Sequence, residues 1–263
     1  KKYSVADGVF HRLGALLASG AVDGQGPSGL SKSLVDNYLN ADGTFINPKD
    51  EKYKDFNEMF KERDARLLVT VMHSGPDCKY RASSPTNKPM NVRAYDATGT
   101  EDEMKEKNED IVSPNLNGDG NSKSVTGFHI RLGIDTTYVD NESETVVVLF
   151  RYAEGLLCYA EAAEELDLCT DDVLNKTLKP LRERAGVTYV KPTKADPNFP
   201  FTGLSPVLQE IRRERRSELA LQGFRLDDLM RWAVAGTLKG QDGRGRGAYL
   251  GEDGVLYKSF SPK

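Results

Sequence analysis

The sequence has little of what marks a metal centre, a redox site or a disulfide scaffold: three cysteines, three histidines and one tryptophan in 263 residues. Cys158 and Cys169 lie eleven positions apart on what reads as one helix. That is a rise of about 16 Å, whereas disulfide-bonded Cα atoms sit about 4.4–6.8 Å apart. Cys78 stands alone in a loop. No C-x-x-C or H-E-x-x-H spacing occurs, and His11, His73 and His129 are isolated. No disulfide framework is expected, and neither a metal nor any other cofactor.

Charge of one sign is also missing. Lysine and arginine number 36 against 40 acidic residues, a net charge of −4. The clustered positive field of a nucleic-acid binder is therefore not expected. Long apolar runs are absent: the longest, 67–72 and 146–150, fall far below the ~20 residues of a membrane helix. Lys1-Lys2 and the apolar stretch up to Leu17 imitate a secretion signal, but Asp7, His11 and Arg12 interrupt it. This segment reads as an amphipathic helix, with any export signal upstream or already removed. No G-x-S-x-G nucleophile elbow is present, and Gly243 to Gly251 has neither a preceding strand nor a following helix to make a phosphate loop.

With 38% hydrophobic and 29% charged residues, the chain has the balance of a folded protein and length enough for a core. It divides near residue 150. The first part is loop-rich, with helices expected over 7–19, Lys32 to Tyr38 and Asp55 to Lys61, and a strand over Arg66 to His73. Residues 74–127 form a long polar stretch with Pro76, Pro85, Pro89 and Pro114 and one helical island, Glu101 to Asn108. Loops of that length are usually functional or disordered. Thr126 to Leu132 and Glu144 to Phe150 read as short strands or extended segments. Asn115 to Asn121 has the alternating oxygens of a calcium loop, but Thr126 stands where the closing glutamate belongs; it reads as a polar turn, with calcium the alternative.

After residue 150 the period becomes 3.6. Tyr152, Ala153, Leu156, Leu157, Ala160 and Ala163 form an apolar face, with Glu154, Glu161 and Glu165 expected opposite. Thr170 caps a second helix expected to end at Gly186. Ser205-Pro206 opens a third, ending at Gly223, and a fourth covers Arg225 to Ala235. Two helical hairpins result. Their starts lie about 55 residues apart, which is not the 34 of a strict tetratricopeptide array. On the third helix Arg215 falls in the apolar stripe of Leu204, Leu208, Ile211 and Leu219, so it is expected to be buried and paired with Glu214, Glu218 or Asp228. Trp232 shares a face with Leu229 and Ala233 and is expected in the core.

The helical part also resembles a known family. Phe150-Arg151-Tyr152-Ala153-Glu154, continuing to Tyr159-Ala160-Glu161-Ala162-Ala163-Glu164, is similar to the SusD/RagB family. So are Leu181-Arg182-Glu183-Arg184-Ala185-Gly186, Ile211 to Leu219, Gly223-Phe224-Arg225 and Asp228-Leu229-Met230-Arg231-Trp232. Upstream, Ser33-Leu34-Val35-Asp36 with Ala41-Asp42-Gly43, and Lys61-Glu62-Arg63-Asp64-Ala65-Arg66, resemble the loop and helix that precede them there. The resemblance implies a mainly α fold: tetratricopeptide-like helical hairpins with long irregular loops and a few short strands. Residues 1–150 would be the loop-rich ligand-binding part and 151–263 the hairpin part of a single SusD-like domain that lacks its N-terminal half. Family members are about twice as long, and this chain stops before their usual Pro-Ile-Pro-like tail; Gln222 stands where they often have glutamate. Arg151, Glu214, Arg215, Glu218, Asp228 and Trp232 are expected to be structural.

In function the resemblance implies a binding protein rather than an enzyme. It would be a lipoprotein on the outer face of the outer membrane, anchored through an upstream segment. There it would capture oligosaccharide or peptide for a SusC-like TonB-dependent transporter, with no nucleic-acid partner. A hairpin scaffold that binds only proteins or peptides is the alternative, and a glycosidase working through two carboxylates is a third. Because the one tryptophan is expected in the core, tyrosines must stack on a sugar. Tyr80 and Tyr95, with Arg81, Asn87, Asn91 and Arg93 as planar donors, are the expected ligand contacts.

Overall fold

A computed structural model describes residues 29–53, 58–71, 73, 128, 130–133, 146 and 148–234. Its helices are α1 (Lys32–Val35), α2 (Ala65–Thr70), α3 (Tyr152–Glu165), α4 (Asp171–Lys176), α5 (Leu178–Arg184), α6 (Pro206–Glu218) and α7 (Arg225–Arg231). Two single 3₁₀ turns, Glu51–Tyr53 and Glu58–Phe60, lie between α1 and α2. Among the described residues the β-structure consists of two antiparallel bridges, Asn40 with Arg63 and Val71 with Ile130. The expected helices over 7–19 and Glu101 to Asn108 fall outside the described residues.

Helix α6 sits at the centre. Ser205 caps it, its hydroxyl accepting from Leu208 N at 3.0 Å, and Pro206 supplies the pre-set φ of the first turn. One side of α6 meets α3, α4 and α5 through a core of Ala153, Leu157, Ala160, Leu174, Leu178, Leu181, Ile211 and Leu219. The opposite side meets the segment around α1 and α2: Asn37 Nδ2 donates to Ser217 Oγ at 2.7 Å and to the Arg213 carbonyl at 3.0 Å. Tyr38, Val35, Leu67, Val71, Met59 and Phe128 are buried on that side. Phe199, Phe201, Leu229 and Trp232 form a separate cluster under α7.

Several expectations are corrected. Arg66 to His73 is not a strand: its β-branched run suggested one, but Asp64 caps a helix by accepting from Arg66 N at 2.9 Å. The Thr70 hydroxyl returns to the Arg66 carbonyl at 2.7 Å, so the threonine is accommodated within the helical turn. Extended backbone begins only at Val71. The expected helix from Thr170 to Gly186 is two helices. Pro180 has no N–H for the Lys176 carbonyl, and its ring would strike that carbonyl in a continuous helix. The chain breaks at Thr177, whose hydroxyl donates to the Val173 carbonyl at 2.7 Å. Helix α5 then closes in a Schellman motif: Val187 N reaches the Arg182 carbonyl at 2.9 Å and Gly186 N the Glu183 carbonyl at 3.1 Å, with Gly186 at φ 70°. Helix α1 stops at Val35 rather than Tyr38, α6 at Glu218 before the turn to Gly223, and α7 at Arg231 rather than Ala235. Of the expected Asp55–Lys61 helix, the described part is the 3₁₀ turn at Glu58–Phe60.

On α3 the apolar stripe is rotated from the expected one. Glu161 was expected to face solvent, yet it is buried because it follows Ala160 on the stripe of Ala153 and Leu157. Tyr152 and Tyr159 point outward instead, 79% and 55% exposed.

The two parts of the chain meet closely at Gly43. Thr188 N donates to the Ala41 carbonyl at 2.8 Å, and Ala65 N to the Ala185 carbonyl at 3.2 Å. Gly43 has φ 83°, and a Cβ there would collide with the Thr188 carbonyl oxygen, which is backbone and cannot step aside. Gly43→Ala should therefore cost about 2–4 kcal/mol. Chemical denaturation measures it, and an unchanged midpoint would show that this seam is looser than described.

Candidate ligand-binding site and its supports

The residues expected to touch ligand, Tyr80, Arg81, Asn87, Asn91, Arg93 and Tyr95, lie outside the described residues, as does the Asn115–Asn121 loop. The two ends of that segment are described, and they meet. Val71 bridges Ile130, and Arg131 N donates to the Thr70 carbonyl at 2.9 Å. The Arg131 guanidinium donates to the Leu68 carbonyl at 2.7 Å and lies 3.0 Å from His73 Nε2. Leu30 N reaches the Phe128 carbonyl at 2.9 Å. Whatever residues 74–127 present leaves and re-enters the fold at one place, beside the end of α2.

That place is tied to α6 by a lattice of charges. Arg66 on α2 contacts Asp64, Glu214 and Glu218. Arg182 on α5 reaches Glu210 at 2.7 Å and Glu214 at 3.1 Å. Arg213 bonds Glu210 at 2.8 Å and pairs with Asp196. Arg151, the residue before α3, reaches Glu218 Oε1 at 2.7 Å and the Glu218 carbonyl at 2.6 Å; its Nε donates to Gln222 at 2.9 Å. Glutamine at 222 thus still serves as an acceptor. Arg184 approaches Glu218 from the solvent side.

The structure pairs Arg215 with Asp228, Nε lying 2.8 and 2.9 Å from its two carboxylate oxygens. Glu214 and Glu218, the other expected partners, sit one helical turn apart on another face and serve Arg66, Arg151, Arg182 and Arg184. Trp232 is buried. Its indole N–H donates to Glu161, and the guanidiniums of Arg212 and Arg231 lie 4.5 and 4.8 Å from its ring centre. Sequence reasoning missed Arg66, Arg182, Arg212, Arg213 and Glu161 as lattice members. The available signal was the charge density of α6 itself: a helix flanked by apolar neighbours on two sides cannot keep all its charges in water.

These carboxylates are acceptors. Burial alone would raise the pKa of Glu214, but Arg66 and Arg182 overcome it and hold it below the ordinary carboxylate range. Glu218 is likewise lowered: burial opposes ionisation, and hydrogen bonds from Arg184, Arg66 and Arg151 outweigh it. Among the described residues no group of three or more His, Cys, Asp or Glu side chains could hold a metal ion. No helix among them is long and apolar enough to cross a membrane.

A family model described as the SusD family matches residues 11–259. The chain belongs to the SusD family. A SusD-like carbohydrate binding protein from Bacteroides fragilis NCTC 9343 is 25% identical, with a TM-score of 0.53 over 88% of this chain and 42% of its own. A second SusD-like protein of that strain is 22% identical, with a TM-score of 0.54 over 78% of this chain and 36% of its own. The chain therefore spans well under half the length of these solved relatives. No curated protein matches it. The likeness extends to the fold, which among the described residues is mainly helical, with long loops and little strand.

Two outcomes are expected of this SusD-family lattice. Arg215→Ala should lower stability by about 2–3 kcal/mol, because buried Asp228 keeps the half-exposed Arg231 as a partner but loses its buried one, whereas replacing Arg215 and Asp228 together by apolar residues of similar volume should recover much of the loss. Urea titrations of the single and double variants measure this. The second concerns acid. Glu214 and Glu218 have folded pKa values below their ordinary 4.5. Their contribution is complete above that value and is lost as pH falls through the lowered folded values. Melting temperature should be level from neutrality down to about pH 5 and fall steeply below. Glu214→Gln should melt lower at pH 7 and show a shallower acid limb; an acid limb as steep as the parent's would remove Glu214 from the account.

Proposed function

We propose that the chain is the ligand-binding and hairpin part of a cell-surface glycan-binding protein of SusD type. The protein captures oligosaccharide at the outer membrane and delivers it to a SusC-like TonB-dependent transporter. It does so without catalysis or cofactor, held to the outer face by a lipid on an upstream segment. The family match over almost the entire chain carries this reading. The similar Bacteroides fragilis structure, which is described as carbohydrate binding, supports the ligand class. In this reading α3 to α7 form tetratricopeptide-like hairpins, residues 151–263 serve as the platform, and residues 1–150 supply the ligand-binding loops.

The chemistry of sugar capture then selects among the aromatic residues. A sugar presents C–H faces to flat rings and hydroxyls to amides and guanidiniums. Trp232 is enclosed by Glu161, Arg212 and Arg231, so it does not stack on ligand. Tyr80 and Tyr95 take that role, with Arg81, Asn87, Asn91 and Arg93 as hydrogen-bonding partners. The clamped ends at Val71 and Ile130 support this assignment, because joining the ends of a segment reduces the entropy it has left to lose on binding.

A glycan array should give binding with no hydrolysis of the bound sugar. Tyr80→Ala or Tyr95→Ala should weaken that binding by about 1–2 kcal/mol, roughly five- to thirtyfold in Kd, at an unchanged melting temperature. Calorimetry checks the affinity. Binding that survives in both variants would move the sugar away from this loop.

A further inference from the structure

Helix α3 is apolar on two opposite faces. On its core side Ala153, Leu157 and Ala160 pack with residues of α4, α5 and α6. At about 100° per residue, Tyr152, Gly155, Tyr159, Ala162 and Leu166 fall together within an arc of about 80° on the far side. That arc faces outward: Tyr152, Tyr159 and Leu166 are large and exposed, Ala162 is exposed, and Gly155 is half-buried. The glutamates of α3 stay off it. Glu161 and Glu165 turn to Arg212, and Glu164 accepts from the Ser205 hydroxyl, while Glu154 stands at the rim. Leu149 and Phe150, just ahead of α3, are exposed as well. A helix that is apolar on opposite faces is normally covered on both, and a continuous exposed apolar stripe marks a contact surface.

Gly155 points the same way. A glycine inside a helix destabilises it relative to alanine, yet a Cβ at Gly155 would meet nothing within 4 Å. No neighbour among the described residues calls for glycine at this position. A second backbone drawn close to α3 does. The spacing indicates its kind: Tyr152, Tyr159 and Leu166 recur every seven residues, and so do Gly155 and Ala162. Such a repeat keeps one helix in line along another at a shallow angle, with bulky residues entering the spaces beside small ones. Glu154 and Glu165 border the stripe on one side, so a covering helix with Lys or Arg along that border fits best.

A second copy of α3 laid antiparallel would bring its own Glu154 and Glu165 border against this one, acid on acid. The solved relatives supply another occupant. The SusD-like carbohydrate binding protein that matches 88% of this chain is covered over 42% of its own, so more than half of it has no counterpart in these 263 residues. We propose that the outer face of α3, from Tyr152 to Leu166, is the docking surface for an α-helix from the part of a full-length SusD-type chain that lies outside these residues. That helix is amphipathic, with an apolar seven-residue stripe and a basic border. Helix α3 is then an inner helix, held between α6 and the docked one. The proposal rests on α3 and on family membership, and is independent of the glycan-capture reading.

The test uses the complete product of the gene that encodes this chain, as parent, Gly155→Ala and Tyr159→Lys. Gly155→Ala should lower the melting temperature by roughly 2–4 °C, because the added methyl group meets the docked backbone; in an open helix alanine raises it. Tyr159→Lys should lower it by roughly 4–8 °C or prevent folding, whereas lysine in place of a solvent-facing tyrosine leaves it unchanged. A melting temperature at or above the parent's in either variant overturns the proposal. Sedimentation velocity identifies the occupant. Parent and Tyr159→Lys should sediment as the same species; a dimer that the substitution dissociates overturns the proposal in favour of a second copy. A reading frame that closes at these 263 residues overturns it too. Glycan binding at Tyr80 and Tyr95 stands or falls separately from each of these outcomes.

Discussion

Helix α6 carries charge on several faces and is buried on most of them, and the rest of the described structure answers to that constraint. A charge left alone inside the packing costs about 3–5 kcal/mol, a large share of the 5–15 kcal/mol that stabilises a typical domain. Each neighbour must therefore present the opposite sign at the right height. Helix α5 brings Arg182 to Glu210 and Glu214, α2 brings Arg66 to Glu214 and Glu218, and α3 brings Glu161 to Arg212. A shift of any helix by one turn would break several of these pairs together. The ion pairs add less to net stability than an apolar core would, but they penalise wrong registers heavily.

The same constraint explains what the sequence disclosed and what it withheld. The helices from 152 onward were legible because one face of each meets an apolar core, which leaves a 3.6-residue stripe. So were the caps Thr170 and Ser205, whose chemistry is local. The rest required partners distant in sequence. Arg66 to Thr70 has strand-like composition, and its helix is fixed by Asp64 and by two glutamates 148 and 152 residues away. Glu161 looked like a solvent residue because glutamate usually is; it becomes a core acceptor only where Arg212, Arg231 and Trp232 converge on it. The break at Thr177 is different, since Pro180 announces it locally. As for the proposed ligand residues, composition nominated Tyr80 and Tyr95, which lie outside the described residues.

Membership of the SusD family gives the lattice a context. The first part of the chain is held to the second by an apolar cluster of Leu39, Ala185 and Val187 and by polar contacts: Asn37 on Arg213 and Ser217, Arg66 on the α6 glutamates, and Thr188 on Ala41. The polar contacts are directional, so they fix orientation more tightly than apolar burial, which tolerates sliding.

The path from the lattice to the loop stem can be followed bond by bond. Glu214, between Arg182 and Arg66, orients α2; the Thr70 hydroxyl at the end of α2 lies 3.0 Å from the Tyr38 hydroxyl, and the Thr70 carbonyl accepts from Arg131 N. One residue further, Val71 pairs with Ile130. The point where residues 74–127 leave and return is thus three contacts from a fully buried carboxylate on α6. Under the proposed glycan-capture function this placement has a physical consequence. Affinity depends on how little freedom is lost on capture, and a stem already fixed at both ends has less to lose. In that proposal, weakening Glu214 acts on ligand binding only through the position of the stem, whereas a change at the proposed contacts Tyr80 or Tyr95 acts on it directly. The two kinds of substitution separate support from contact.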